Sequence, residues 1–346
     1  MSKKSNKESV VNALQLLERE KGIPQSYMLE KIEAALVSAY HKEYGNNADV
    51  RIEFDAEKDD IRVFQQKTVV EEVTDEEKEI SLADAKKISR RNTLGKLIEI
   101  RVDPENFRRL STAAAKSVII QGIREGERMV MQEAYENQRD EILTATVSKV
   151  DPVSGNVVLE TGNGRAVLLH SEQIPGEDFV VGDHIKVFVM EVNKEARGPL
   201  VTLSRCHAGL VRRLFELEVP EIADGVVLVK GVSREAGVRS KVAVASRDEN
   251  VDPVGACIGN RGMRIAGIVD ELRGEKIDII PYSDVPEEYV AAALAPARVN
   301  SVEMTGERAC RVLVDPDQLS LAIGREGLNA RLAARLTGYK IDIKAE

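Results

Sequence analysis

Over the first forty residues the apolar side chains recur at helical spacing: Val10, Leu14 and Leu17, then Met28, Ile32, Ala35, Leu36 and Ala39. Gly22 and Pro24 fall between the two groups, so two amphipathic helices are predicted. The period then shortens to two in residues 50–54 and 60–64, on either side of the polar run 55–59, which is the pattern of a half-buried hairpin. The acidic stretch 71–79 reads as a solvated strip. Ser81 stands where a helix N-cap belongs and heads a short helix, and residues 96–102 alternate again as a strand. From 104 to 139 the apolar positions Phe107, Leu110, Ala114, Val118, Ile119, Ile123 and Met129 follow one long helix without an internal proline. Its basic residues, including Arg108, Arg109, Lys116, Arg124 and Arg128, read as a solvated face.

Residues 140–205 change character. Five short alternating runs are separated by turn signals at 151–155, 162–164 and 181–183, which predicts a small Greek-key barrel of the OB type. Two marks, Ala166-Val-Leu-Leu-His170 and Gly182-Asp-His-Ile-Lys-Val187, resemble the S1 version of that barrel. Ring side chains for stacking bases are scarce here: His170, Phe179 and Phe188, with at least one phenylalanine expected in the core.

The last third contains a duplication. Residues 251–280 and 314–344 both open with Val-Asp-Pro, reach Ile-Gly-X-X-Gly, run through a helical stretch and close on Lys-Ile-Asp-Ile. Each copy is preceded by a helical segment, 210–217 or 287–294, and two strand-like runs. The order helix, strand, strand, helix, Gly-X-X-Gly, helix, strand, repeated, is that of a type II KH domain. Gly259 with Gly262, and Gly324 with Gly327, permit backbone angles and a close approach that a Cβ would block. A sugar-phosphate chain can then lie on the amides that open the next helix. Around the first loop stand Asn260, Arg261 and Arg264; around the second, Arg325, Glu326 and Arg331. Glu326 repels phosphate, so the first loop is expected to be the better clamp. The apolar residues of the following helices, Ile265, Ile268, Val269 and Leu272, then Leu328, Leu332 and Leu336, are expected in the core.

Composition limits the alternatives. The chain has 346 residues, 43% hydrophobic and 31% charged, which suits a multidomain protein with solvated surfaces. Nothing approaches the roughly 18 consecutive apolar residues that cross a bilayer, and the polar start carries no signal peptide, so a cytoplasmic protein without membrane contact is expected. The net charge is -9, spread evenly: 24 basic and 27 acidic residues in 1–140, 6 and 9 in 141–205, 19 and 22 in 206–346. A nucleic-acid interface must therefore come from local placement of Lys and Arg and not from bulk charge. Cys206, Cys257 and Cys310 form no CxxC pair, and the four histidines sit at no metal-ligand spacing, so neither a metal nor a cofactor is expected. No acidic metal cluster or nucleophile-base pair is evident, which argues against an RNA-processing enzyme.

The strings Asp252-Pro-Val-Gly-Ala-Cys-Ile-Gly-Asn-Arg-Gly262, Gly274-Glu-Lys-Ile-Asp-Ile279 and Leu319-Ser-Leu-Ala-Ile-Gly-Arg-Glu-Gly327, with the Arg331-Leu-Ala that follows and Glu218-Val-Pro-Glu-Ile222 upstream, resemble the NusA family of transcription factors. The resemblance implies a multidomain α+β chain: an N-terminal α/β domain with a long connecting helix (1–139), an S1-type OB barrel (140–205) and tandem type II KH domains (206–281 and 282–346). It implies a monomer that binds RNA polymerase core through its first domain and nascent single-stranded RNA through the rest, and works with other Nus factors in pausing, termination and antitermination. Acidic C-terminal repeats found in some relatives are expected to be missing, because the sequence stops at Glu346. The other reading is a ribosome-assembly or translation-associated RNA binder without a polymerase contact.

Overall fold

The computed structural model describes residues 10–44, 49–55, 60–102, 107–193 and 199–346. The chain divides into two compact units, Met1–Met131 and Gln132–Glu346.

In the first unit, helices α1 (Val10–Lys21) and α2 (Gln25–Tyr44) precede strands β1 (Asp49–Asp55) and β2 (Asp60–Val70), the short strand β3 (Glu79–Ser81), helix α3 (Leu82–Ile88), strand β4 (Leu97–Val102) and most of the long helix α4 (Phe107–Glu136), whose last five residues belong to the second unit. The alternating runs do form a hairpin, β1 against β2 from Asp55↔Asp60 to Asp49↔Gln66. However, β2 continues well beyond the expected strand, because its second half pairs with β3 and β4. Ser81 caps α3, its hydroxyl accepting from the Asp84 amide at 3.1 Å. The acidic stretch is a largely exposed loop, as expected, and within it the Glu79 carboxylate gathers the Thr74 and Asp75 amides and the Thr74 hydroxyl. Those bonds, the Thr74 amide foremost, hold its carboxyl below the usual range. The core joins Leu14, Ile23, Met28 and Leu36 to Ile52 and Val63, with Ile119 and Ile123 of α4 packed against it. A Cβ on Gly126 would meet Ile23 Cγ2 at 2.8 Å, so glycine sets how closely α4 packs there. The side chains of Val10, Phe107, Arg108, Arg109, Leu110, Ala114, Lys116 and Val118 lie outside what the structure describes.

The second unit begins with the predicted barrel: β5 (Ile142–Val150), β6 (Val157–Thr161), β7 (Gly164–Leu168), a 3-10 turn (His170–Glu172), β8 (His184–Val192) and β9 (Val201–Ser204). The strands are antiparallel in the order β7-β6-β5-β8-β9, and β7 approaches β9 to nearly close the sheet. Inward residues such as Val147, Leu159, Leu168, Ile185 and Val187 alternate with outward polar ones, as a half-buried strand requires. Of the ring candidates, Phe188 is core and stacks on His207, with centroids 4.8 Å apart.

Two modules of the same design follow. The first comprises α5 (Ala208–Glu218), α6 (Pro220–Ala223), β10 (Val227–Glu235), β11 (Arg239–Ser246), α7 (Pro253–Ile258), α8 (Met263–Glu271) and β12 (Lys276–Pro281). The second comprises α9 (Pro286–Ala293), β13 (Ser301–Gly306), β14 (Ala309–Val314), α10 (Leu319–Ile323), α11 (Leu328–Thr337) and β15 (Lys340–Ala345). Each sheet has three strands, the first pair antiparallel and the second parallel, with registers such as Lys241↔Asp278 and Arg311↔Asp342 at matching places. The short helix α6 has no counterpart among the sequence predictions; Pro220 opens it at its first position.

Barrel and modules share cores. Ile174 and Phe188 of the barrel pack with α5, α8 and the first KH sheet. Ala243 of the first KH sheet packs among the core residues of the second module. Buried ions reinforce both seams. Arg205 is fully buried and forms a fork with the Glu177 carboxylate at 2.7 and 2.8 Å, while reaching Glu271 of α8. Arg234 makes a buried pair with Glu275, which also accepts from the Ser240 hydroxyl and the Gly237 amide. Such charges are tolerated only because every partner is in place. Lys241, also fully buried, donates to Asp278 at 3.0 Å and to the Ala295 carbonyl at 2.7 Å, and so ties the first module to the second. The Asp278 carboxyl is pushed up by burial, but hydrogen bonds from Arg239 and the charge and hydrogen bond of Lys241 outweigh that and hold it below its ordinary value.

Candidate nucleic-acid interface

The two Gly-X-X-Gly segments form junctions of one conformation. Gly259 ends α7 at φ 73°, ψ 176°, and Gly324 ends α10 at φ 75°, ψ 170°. This corner of backbone space is essentially closed to side chains. Close contacts add to that demand: a Cβ on Gly324 would lie 2.8 Å from the Asn329 amide nitrogen, and one on Gly259 would lie 2.6 Å from Arg264 Cγ. Gly262 and Gly327 are left-handed, at φ 76° and 73°, with open space around Gly327.

Between the glycines the chain makes a single tight turn, closed by Gly262 N–H to Gly259 C=O and by Gly327 N–H to Gly324 C=O, each at 3.1 Å. The amides of Asn260 and Arg261, and of Arg325 and Glu326, head that turn before its first hydrogen bond, where helix amides lack intrahelical acceptors. They lie on exposed residues and directly precede α8 and α11, whose N-termini favour an anion. A sugar-phosphate backbone fits this combination of reachable amides and missing side chains.

The side chains divide into free and committed groups. Asn260 and Arg261 are exposed at the first junction; Arg325 and Glu326 are 94% and 80% exposed at the second. Arg325 Nε lies 3.8 Å from the Glu326 carboxylate, so the one acidic group of the pair of loops is partly offset by its neighbour. Arg331 is exposed on α11, a turn beyond its loop. Arg264 is different. Its guanidinium donates to the Ala256 carbonyl at 2.6 Å and pairs with Glu221 at 2.9 Å, locking α6 and α7 to the start of α8. Asn329 occupies the matching place in the second module and donates to the Leu294, Leu321 and Ala322 carbonyls. These residues shape the junctions from beneath.

A further group beside the glycines has no mark in the hydrophobic pattern of the sequence. Ile258 and Ile323, directly before the first glycines, are 40% and 37% exposed; Leu321 and Met263 are 44% and 71% exposed. They set apolar surface beside each loop, where the flat face of a base can rest. Their signal was positional, since the residue before the first glycine ends a helix of only six or five residues. Of the apolar residues of the next helices, Ile268, Leu272 and Leu332 are fully buried, whereas Ile265, Val269, Leu328 and Leu336 are only half-buried. Cys257 under the first junction is likewise buried, which pushes its thiol up to about 12. Among the described residues no group of three His, Cys, Asp or Glu could hold a metal ion. No described helix is long and apolar enough to cross a membrane.

A five-stranded OB-type barrel followed by two KH modules, each with an exposed Gly-X-X-Gly junction, places the chain in the class of tandem KH proteins. Residues 9–129 match the NusA N-terminal domain, 205–282 the NusA-like first KH domain and 286–346 the NusA-like second KH domain. The chain belongs to the NusA family. The transcription termination/antitermination protein NusA of Bacillus subtilis (strain 168) is 45% identical over 338 residues, covering 97% of this chain and 91% of the relative. The protein of the same name from Halalkalibacterium halodurans is 46% identical, covering 97% and 88%. That of Thermus thermophilus is 41% identical, covering 96% and 88%.

Proposed function

We propose that this chain is an RNA-binding transcription elongation factor that binds RNA polymerase core and nascent single-stranded RNA, and modulates pausing, termination and antitermination. The observation that carries the reading is the pair of exposed junctions with the same backbone conformation, each presenting amides and an arginine to a phosphate chain. Gly259, Asn260, Arg261 and Gly262 form the first contact, with Arg264 holding it in place. Gly324, Arg325, Glu326, Gly327 and Arg331 form the second. The division of labour follows residues 1–139 for polymerase, 140–205 for the barrel, and 206–281 and 282–346 for RNA. The names of the relatives, all transcription termination/antitermination proteins, support the transcriptional setting. The protein works in the cytoplasm as a monomer alongside other Nus factors, and acts by binding and not by catalysis: it adds contacts to a paused complex and shifts the pause equilibrium.

The test is a pausing and termination assay with purified polymerase, with and without the full chain, next to an RNA-affinity measurement. The expected result is a changed pause lifetime that the Arg261→Ala, Gly262→Asp double variant weakens together with RNA affinity. Unaltered pausing and no retention of polymerase by a chain that still grips RNA would sink the transcriptional reading in favour of a translation-associated one.

A further inference from the structure

A second kind of site lies away from both junctions, on the seam between the barrel and the first KH module. A cavity of about 330 Å³ opens there, within the range of roughly 300–1,000 Å³ typical of small-ligand sites. Phe188 of β8, Asp140 ahead of β5, His207, Arg212 and Arg213 line it. The ring stack forms one wall: Phe188 is buried, and His207, 15° from coplanar with it, is exposed. One face of the imidazole is thus covered by Phe188, while the residue as a whole stays exposed. Gly209 is what allows α5 to sit so near, since a Cβ there would meet Phe188 Cε2 at 2.6 Å.

The two arginines differ in commitment. Arg213 is held in the wall, donating to the Asp140 carbonyl at 2.8 Å and pairing with Glu141 and Glu216. Arg212 is exposed, and among the described residues no ion pair engages it. Asp140 sits at φ 62°, a left-handed conformation that costs a non-glycine residue about 1–2 kcal/mol and is kept at the edge of the cavity.

We propose that this cavity is a single-nucleotide subsite for the RNA strand, in which a base extends the Phe188–His207 stack, the adjoining phosphate meets Arg212 and the Asp140 carboxylate accepts from a ribose 2′-hydroxyl. The proposal rests on the RNA-binding reading above and adds a contact that the Gly-X-X-Gly junctions do not supply. Each part matches a ligand feature: a flat ring for stacking, a free guanidinium for phosphate, and a carboxylate for the one hydroxyl that separates RNA from DNA.

The test uses the full chain, fluorescence anisotropy and RNA oligonucleotides of increasing length, with DNA of the same sequence alongside. His207→Asn keeps a side chain able to cap α5 while removing the ring; Arg212→Gln removes the charge from an exposed position; Asp140→Gly keeps the left-handed backbone and removes the carboxylate. For longer RNA, His207→Asn is expected to weaken binding between about five-fold and a hundred-fold. Arg212→Gln is expected to lower the salt slope of log affinity by about 0.7, which a merely structural change would not do. Asp140→Gly is expected to narrow the preference for RNA over DNA. If all three match the parent at every length while Arg261→Ala still weakens binding, the subsite is overturned and the junction reading stands. If the parent chain itself fails to bind RNA, both fall. Saturable capture of free AMP in the cavity, with RNA affinity unmoved by the variants, would overturn the strand in favour of a free nucleotide.

Discussion

Arg261 and Glu326 occupy the same position of two matching turns, both left-handed at φ 52° with ψ 26° and 27°, and carry opposite charges. Two residue types hold one strained conformation, so the backbone shape is set by the flanking glycines and not by the side chain between them. What differs between the modules is the sign presented to a ligand.

Reversing that sign should therefore act on binding with little effect on folding. Glu326→Arg is expected to raise affinity for single-stranded RNA several-fold at low salt and to steepen the salt slope by about 0.7. Arg261→Glu should do the opposite. Anisotropy titrations at several salt concentrations, with thermal melts showing an unchanged fold, check both.

The four glycines should separate into two classes under substitution. Gly324→Ala places a side chain where the backbone region excludes one and against the Asn329 amide, and is expected to cost about 3 kcal/mol. Gly327→Ala meets only the ordinary left-handed penalty of about 1 kcal/mol, with open space around it. Urea unfolding of the full chain measures the difference. RNA-binding variants are for this reason better built at Gly262 and Gly327 than at the first glycines.

Acid should loosen the tie between the KH modules. The Asp278 carboxyl is held below its ordinary value in the folded protein, so its contribution to stability is present above about pH 4 and is lost as pH falls through the folded value. Asp278→Asn keeps an acceptor for the buried Lys241 ammonium but removes its counter-charge, and is expected to cost about 3 kcal/mol at neutral pH. The gap between variant and parent should shrink towards acid, which unfolding curves measured between pH 7 and pH 3 would reveal.

The repeated Val-Asp-Pro, Ile-Gly-X-X-Gly and Lys-Ile-Asp-Ile strings located both junctions, because local backbone requirements leave marks on adjacent residues. Ser81 and the five barrel strands were legible for the same reason. The roles of Arg261 and Arg264 could not be told apart. Arg264 is claimed by Glu221, forty-three residues earlier on a short helix, and pairing over that distance has no signature in one sequence. Arg205 and Arg234 counted there only towards net charge, yet both are buried, with partners twenty-eight and forty-one residues away. Exposed Ile258 and Ile323 carry the composition of core residues, and only the place where their helices stop reveals them.

The Lys241 bridge to the Ala295 carbonyl, together with Ala243 set among the second module's core residues, fixes the spacing of the two loops before any ligand arrives. A strand that has engaged one loop finds the other at a preset distance, so its second contact is intramolecular, and its strength depends on whether the intervening nucleotides span that gap. On the proposed reading, length between contacts becomes a criterion of selection in its own right: a protein that grips at both loops measures the strand as well as holding it.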